Sequence, residues 1–412
     1  MVTSVISAGD AANLGVQTTG GNDGVLVLRS GAAGAKVDAL SIAASGTATF
    51  VGEVAGVSAI NSGQIGGRRN ILYNGEMKVA QRSASETGLG AASGYFTLDR
   101  WQMLVGATSA GRFTMAQVAD GPAGFANCMK FTTTTADTSI AAGEYLLLTQ
   151  LIEGQDLQQL KKGTASAEQV TVSFWVKGNA AAVYVYELQD VDNNRVIQQS
   201  FAVTTSWNRI ELTFAADTTG AFGDDNGSSL YINIWLHAGS TYAGGTFASN
   251  TWTSITQANR AAVDGFTSIF DATSRTLFIT GVQMEIGATA TEFESRTFGT
   301  ELALCQRYYE KSYNATVAPG TSTNTGKLNY VIGAAANITW RLGVTFRTSK
   351  RASPTFTVRS STGAAGNVRL NNGSDLSVTT ESPGDNAASF YITRNASAGD
   401  FFWFHYEADA EL

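Results

Sequence analysis

From Phe96 to Met284 the chain repeats a single pattern: a short run of β-branched, aromatic and other apolar residues, ended within a few positions by Gly, Asn, Asp or Ser. Such runs fall at 96–105, 112–118, 128–133, 145–152, 170–176, 182–188, 196–203, 209–214, 229–236 and 276–284. Side chains alternate from face to face along a strand, so a strand with one buried face alternates apolar and polar residues. Val170 to Val176 does so cleanly, with Val170, Val172, Phe174 and Val176 on one face and Thr171, Ser173 and Trp175 on the other. Strands at this density over roughly 200 residues, with only 156–162 reading as helical, predict an all-β chain with a central two-sheet sandwich of jelly-roll type.

The texture changes between Leu277 and Tyr313. Leu277 to Ile279 and Val282 to Ile286 read as short strands broken by Gly281 and Gly287. Thr300 then stands where a helix cap is needed, Glu301 where the helix dipole favours an acid, and Leu302, Cys305, Tyr308 and Tyr309 recur at helical spacing. We read a connector helix over 299–313 whose apolar stripe lies on another domain or on a neighbouring chain. The stretch 314–412 then reads as a second β-unit, with runs at 328–332, 337–346, 355–358, 376–380, 389–394 and 401–406. In the last run Phe401, Trp403 and His405 share one face and Phe402, Phe404 and Tyr406 the other, so both faces need cover. A subunit contact by Phe401 and Trp403 is the preferred reading, and a glycan-stacking platform the sharper one.

Residues 1–66 differ again. Between Gly15 and Val51 very short β patterns alternate with Gly, Ala and Asn, without tryptophan or tyrosine and with one phenylalanine. That apolar bulk is too small to offset the entropy of ordering one copy alone, so the segment is read as a thin oligomeric β-structure, in the form of a trimeric rod, with a flexible tail as the alternative. The chain thus divides into an attachment or shaft segment (1–66), a jelly roll (67–298), the helix (299–313) and a C-terminal β-sandwich tip (314–412).

Charge narrows the partners. The net charge is -7 and no basic face stands out, which argues against nucleic acid. Charged residues make up only 15% while glycines number 44, so Ser, Thr, Asn, Gln, Ala and Gly must cover the surface, as in turn-rich structural proteins. Cys128 and Cys305 lie far apart in apolar runs and read as small buried hydrophobes. The first residues lack the basic and apolar regions of a signal peptide, and no run is long enough to span a bilayer; no membrane insertion is expected.

Little in the sequence points to catalysis. His237 and His405 are the only histidines, so neither a metal centre nor a cofactor is expected. No Gly-x-Ser-x-Gly elbow is present. The spacing from Gly320 to Lys327 is one residue too long for a phosphate loop, and Asp190 to Asn194 starts like a calcium loop but continues with Arg195 in place of glycine, which leaves a hairpin turn. No repeat of the kind carried by fibre depolymerases appears. Trp235, Tyr242 and Trp252, the last two in the Gly/Ser/Thr-rich loop 239–256, are the candidate ligand-stacking residues, with core packing as the alternative.

Taken together, Asn70-Ile71-Leu72-Tyr73-Asn74-Gly75, Asp99-Arg100-Trp101, Val172 to Gly178, Trp207 to Ile210, Val282 to Gly287, Thr291 to Glu294 and Cys305-Gln306-Arg307-Tyr308-Tyr309 resemble, in order and spacing, bacteriophage tail-fibre and virion-fibre proteins built around a jelly roll similar to carbohydrate-binding modules. The resemblance spans roughly residues 68 to 313. It implies a non-catalytic virion protein on the phage tail, a homotrimer that docks on other virion proteins through its N-terminal segment and presents β-domains to a host-surface glycan. A head-attached fibre or decoration protein is the alternative, and a surface-polysaccharide depolymerase a more distant one.

Overall fold

The computed structural model describes residues 26–30, 37–42, 48–50, 59–60, 63–64, 68–107, 109–331, 336–396 and 399–412. Residues 1–60 and 61–412 form two compact units. In the first, strands Leu26–Ser30, Val37–Ile42 and Ala48–Phe50 make an antiparallel three-stranded sheet in that order. Ala59–Ile60 and Gly63–Gln64 are two-residue strands, and the other residues of 1–66, on which the shaft reading also rests, lie outside the described residues.

The larger unit opens with a sandwich of two antiparallel sheets. One has six strands in the order Asn208–Phe214, Val170–Gly178, Thr276–Ile286, Cys128–Thr135, Arg112–Val118 and Ser85–Leu89. The other has seven, in the order Thr253–Ser254, Arg195–Val203, Ala182–Asp190, Ser228–Ala238, Tyr145–Glu153, Gln102–Gly106 and Gly94–Tyr95. The alternation in 170–176 does what its period requires: Val170, Val172, Phe174 and Val176 all enter the core. Phe174 stacks across the two sheets on Tyr186 with ring centroids 5.6 Å apart. Burying one such side chain stabilises by about 1.5–3 kcal/mol.

Gly281 does not break its strand. Thr276–Ile286 is continuous, and the glycine sits at φ 64° at a bulge where the register with Val170–Gly178 shifts. A Cβ there would lie 2.7 Å from the Phe125 ring. The region 156–162 is likewise two 3-10 turns, Gly154–Asp156 and Gln158–Leu160, rather than one helix.

The connector helix is shorter than its pattern and shifted in register. It runs Phe298–Gln306 and is capped by Thr297, whose hydroxyl accepts from the Thr300 amide at 3.3 Å. Glu301 holds the first turn as expected. Tyr309–Lys311 leaves the helix to pair as a strand with residues 407–409, because strand pairing there satisfies the backbone groups of both segments.

The last hundred residues form a second, smaller sandwich. Phe401–Asp409 is its axis, pairing with Tyr309–Lys311, Leu328–Val331, Thr355–Ser360 and Asn367–Leu370. The facing sheet pairs Ala336–Thr345 with Ala387–Ala396. Phe402, Phe404, Tyr406 and Ala408 point into the core between them, where Phe390 meets Phe404 edge to face at 4.9 Å.

Candidate functional site

The motifs that carry the family resemblance converge, but on a joint. Asn74 is fully buried in a turn at φ 54°, its side chain bonded to both the amide and the carbonyl of Val79 and to the Asp99 carbonyl. Its amide donates to Glu301 on the helix, and its carbonyl accepts from Trp101 Nε1 at 3.2 Å. Asn70 ties to Val282 and Met284 of the long strand. Glu153, fully buried, takes a bidentate pair from Arg307 at 2.8 and 2.6 Å and the Tyr308 hydroxyl at 2.5 Å. The Arg100 guanidinium lies 3.5 Å over the Tyr308 ring and pairs with Glu411.

This joint absorbs the helix stripe. Cys305 and Tyr308 are wholly buried, Tyr309 nearly so, and Leu302 half-buried. Tyr309 donates to Glu407 at 2.8 Å and lies under the Arg82 guanidinium at 3.8 Å, so its contacts join the two sandwiches of one chain. Burial drives the Cys305 thiol and both tyrosine hydroxyls well above their ordinary pKa values, which leaves them inert hydrogen-bonding groups at neutral pH. The other cysteine, Cys128, is pushed up to about 11 by burial.

The three candidate stacking residues do not form one platform. Trp235 is fully buried on the outer face of the seven-stranded sheet, packed against Tyr242 at 5.4 Å and Tyr145 at 6.0 Å and lying 4.9 Å from the Arg260 guanidinium. Arg260 is itself locked by Glu187. The loop meant to display these rings folds over the sheet instead. Trp252 stands apart, half-buried, its Nε1 donating to the Ala215 carbonyl at 2.8 Å.

Beside Trp252 the calcium-like stretch explains itself. The Lys162 ammonium is bound by Asp190 at 2.5 Å, Asp217 at 3.1 Å and the carbonyls of Thr219 and Gly220 at 2.8 Å each. An oxygen cage of this sort suits a cation, and the chain supplies its own. Burial alone would raise the Asp217 pKa, but hydrogen bonds from Arg195, Lys162 and the Thr219 amide outweigh it and hold the carboxyl below its usual range. Asn194, at φ 53°, completes the hairpin turn.

A polar cleft with an aromatic wall lies on the second sandwich. It measures about 360 Å³, within the range of small-ligand sites, and is lined by Thr323, Asn324, Ser361, Thr362, Arg369, Asn371 and Trp403, among others. The alternation of the Phe401–Asp409 strand puts Trp403 on the outer face, half-buried, beside Phe401 with ring centroids 5.0 Å apart. Its Nε1 donates to Ser361 Oγ at 2.7 Å. The Lys327 ammonium covers the ring at 3.7 Å and is held otherwise by one 3.3 Å hydrogen bond to Asn324. Arg369 pairs with Asp375 at 3.0 Å. Behind the cleft His405 is buried and stacked on Tyr313 at 3.9 Å, with Ser312 Oγ at 3.1 Å from Nδ1 and the Thr323 carbonyl at 3.2 Å from Nε2. Burial and the charge of Lys327 hold its pKa below the ordinary histidine value, partly offset by the Thr323 bond. Sequence reasoning named Trp403 but not the cleft, whose walls come from three separate loops.

No protein-family model matches the chain, and no curated protein sequence does. Among solved structures it is similar to the family 11 carbohydrate-binding module of the cellulosomal cellulase Lic26A-Cel5E of Clostridium thermocellum (14% identity, TM-score 0.25, 51% of this chain and 98% of that one). It is also similar to the CBM22-1 xylan-binding domain of Paenibacillus barcinonensis Xyn10C (12%, 0.26, 56% and 100%). A third likeness is to the enzymatically active domain of tailspike protein 4 of bacteriophage CBA120 (13%, 0.27, 53% and 21%). At such scores these likenesses add nothing to the strand order, which by itself establishes an all-β chain of paired antiparallel sheets.

Proposed function

We propose that this chain is a non-catalytic glycan-recognition protein that contacts saccharide through the cleft beside Trp403. The observation that carries the reading is the cleft's composition, an indole rim with Asn, Ser and Thr side chains to bond ring hydroxyls, together with Lys327, which lies over that indole and has no carboxylate partner among the described residues. Arg369 is already paired with Asp375, while Lys327 places a positive charge on the Trp403 ring beside the cleft, on a chain of net charge -7, which suits an acidic sugar. The ammonium is held by a single side-chain hydrogen bond, so a ligand can displace it from the ring at small cost.

The sequence resemblance supports a wider reading in the same terms: a homotrimeric virion fibre, attached through residues 1–66, in which weak sites on three chains act together at the host surface. Glycan-array screening followed by calorimetry tests the site. Trp403→Ala should lower affinity for the best acidic oligosaccharide at least about tenfold, or 1.4 kcal/mol, with the thermal transition unchanged; equal affinity in a folded variant refutes the cleft. Light scattering that gives a monomer mass for the full chain overturns the trimer, and release of reducing ends from host polysaccharide overturns the non-catalytic reading.

A further inference from the structure

Two acids far from the Trp403 cleft and one of the two histidines meet at the end of the first sandwich. His237 is on strand Ser228–Ala238 opposite Leu146, Glu144 stands just before the partner strand Tyr145–Glu153, and Asp137 begins the exposed loop that leads to it. All three are buried, and each offers one ligand atom within 4.8 Å of the other two. We propose that Asp137, Glu144 and His237 form a binding site for a divalent transition metal of the zinc type, with a fourth position open toward the loop 138–142.

Charge is the first reason. Neither Asp137 nor Glu144 pairs with a lysine or arginine among the described residues, so even a protonated His237 would leave the trio at -1 in a buried place. Buried carboxylates are ordinarily paired or bound to metal. Geometry is the second. His237 Nε2 and Glu144 Oε2 are 3.3 Å apart, at the long end for an N–H···O bond, yet two ligands on a tetrahedral zinc with bonds of 2.0–2.1 Å are separated by about 3.3 Å.

The outer shell is the third. Ser268 Oγ lies 2.7 Å from His237 Nδ1 and accepts from the Phe270 amide at 3.0 Å; its second lone pair can accept the Nδ1–H hydrogen bond, the tautomer that leaves the Nε2 lone pair facing the two acids. Asp137 is fixed by Ser109 Oγ at 2.6 Å and by the amides of Ala110 and Ser139. Imidazole with two carboxylates favours zinc or manganese over calcium, which takes oxygen ligands throughout. A bound ion would fasten the loop 137–144 to the ends of two central strands of the sheet.

The full chain, stripped with a chelator, is titrated with zinc, manganese and calcium while metal content and the thermal midpoint are followed, and cobalt is used as a coloured probe. The site predicts one equivalent of zinc or manganese, a midpoint raised by several degrees and reversed by chelator, and cobalt absorption in the visible. Asp137→Asn and His237→Gln should abolish all three, while the exposed Glu211→Gln leaves them intact. If His237→Gln does not fold, the cobalt spectrum of the parent protein and Asp137→Asn decide. Less than about 0.1 equivalent at saturating metal with an unmoved midpoint overturns the proposal, as does binding of calcium alone that survives loss of the histidine.

Discussion

Removing the carboxylate of Glu411 should be among the most damaging single changes in this protein. The Glu411 side chain is 5% exposed and receives both Arg100 and, at 3.3 Å, Arg82. Arg82 would keep Asp409 at 2.9 Å, but Arg100 would not be so served. Its side chain is wholly buried, and without Glu411 it would retain the neutral partners, the Leu151 carbonyl at 2.5 Å, the Tyr95 side chain and the face of Tyr308, but no counter-charge in contact. Breaking a buried pair by deleting one partner costs about 3–5 kcal/mol, because the remaining charge is left without compensation. For a unit spanning Asn61–Leu412, with an unfolding entropy of about 2.1 cal/mol/K per residue, that is a fall in thermal midpoint of about 4–7 °C. Glu411→Ala followed by calorimetry and denaturant titration measures it. A cycle with Arg100→Met isolates the coupling, since the double variant should recover much of the loss. A Glu411→Ala midpoint within about 1 °C of the parent would refute the reasoning and show that solvent reaches Arg100.

Other outcomes are equally open to measurement. Glu310→Gln, at the buried centre where Lys350 (2.7 Å) and Tyr406 (2.6 Å) meet, should cost about 3–5 kcal/mol in urea titrations; a loss below 1 kcal/mol would show that Lys350 sheds its charge instead. Gly281→Ala should destabilise by at least about 2 kcal/mol, from the left-handed backbone and the closeness of Phe125, and a neutral result would mean that the bulge relaxes. The unfolded chain protonates His405 near pH 6.5 but the folded chain only at lower pH, so acidification through that window should favour unfolding of the parent more than of His405→Asn; parallel pH profiles would contradict this. Asp217 acts with the same sign in a lower pH window. Its folded-state pKa is lowered, so its contribution is complete above about pH 4 and fades as pH falls further, and Asp217→Asn should flatten that acid limb. Lys327→Ala should remove any preference of the cleft for acidic over neutral oligosaccharides, and a retained preference would place the selectivity elsewhere.

The sandwich was legible because its signal is local. A period of two over Val170 to Val176 fixes which face is buried whatever the partner strands are, and the structure buries that face. The connector helix was half-legible: Glu301 is the first-turn acid as expected and the cap lies at Thr297, three residues before Thr300, but the pattern also ran helix through Tyr309–Lys311, whose strand partner lies about a hundred residues on. Tyr242 looked available because polar loop sequence surrounds it, whereas it and Arg260 close over Trp235 on the sheet. Trp403 carried a usable sign, the alternation from Phe401 to His405 that leaves it on the outer face. The cleft walls at 322–324, 361–362 and 369–373, and the meeting of Asp137 with His237, arise from chain crossings that no local window contains.

The ion pair between Arg100 and Glu411 bridges 311 positions, and it therefore also orders events in time. While the chain is being made, the first sandwich can assemble its sheets long before the strand Phe401–Asp409 exists, yet during that interval Arg100 has no counter-charge and the surface that will receive the second sandwich stands uncovered. Contacts of such high sequence separation form late and slow folding, and intermediates with exposed apolar faces tend to associate. The second sandwich thus acts as the lock on the first, and the chain reaches its stable form only when its final strand arrives.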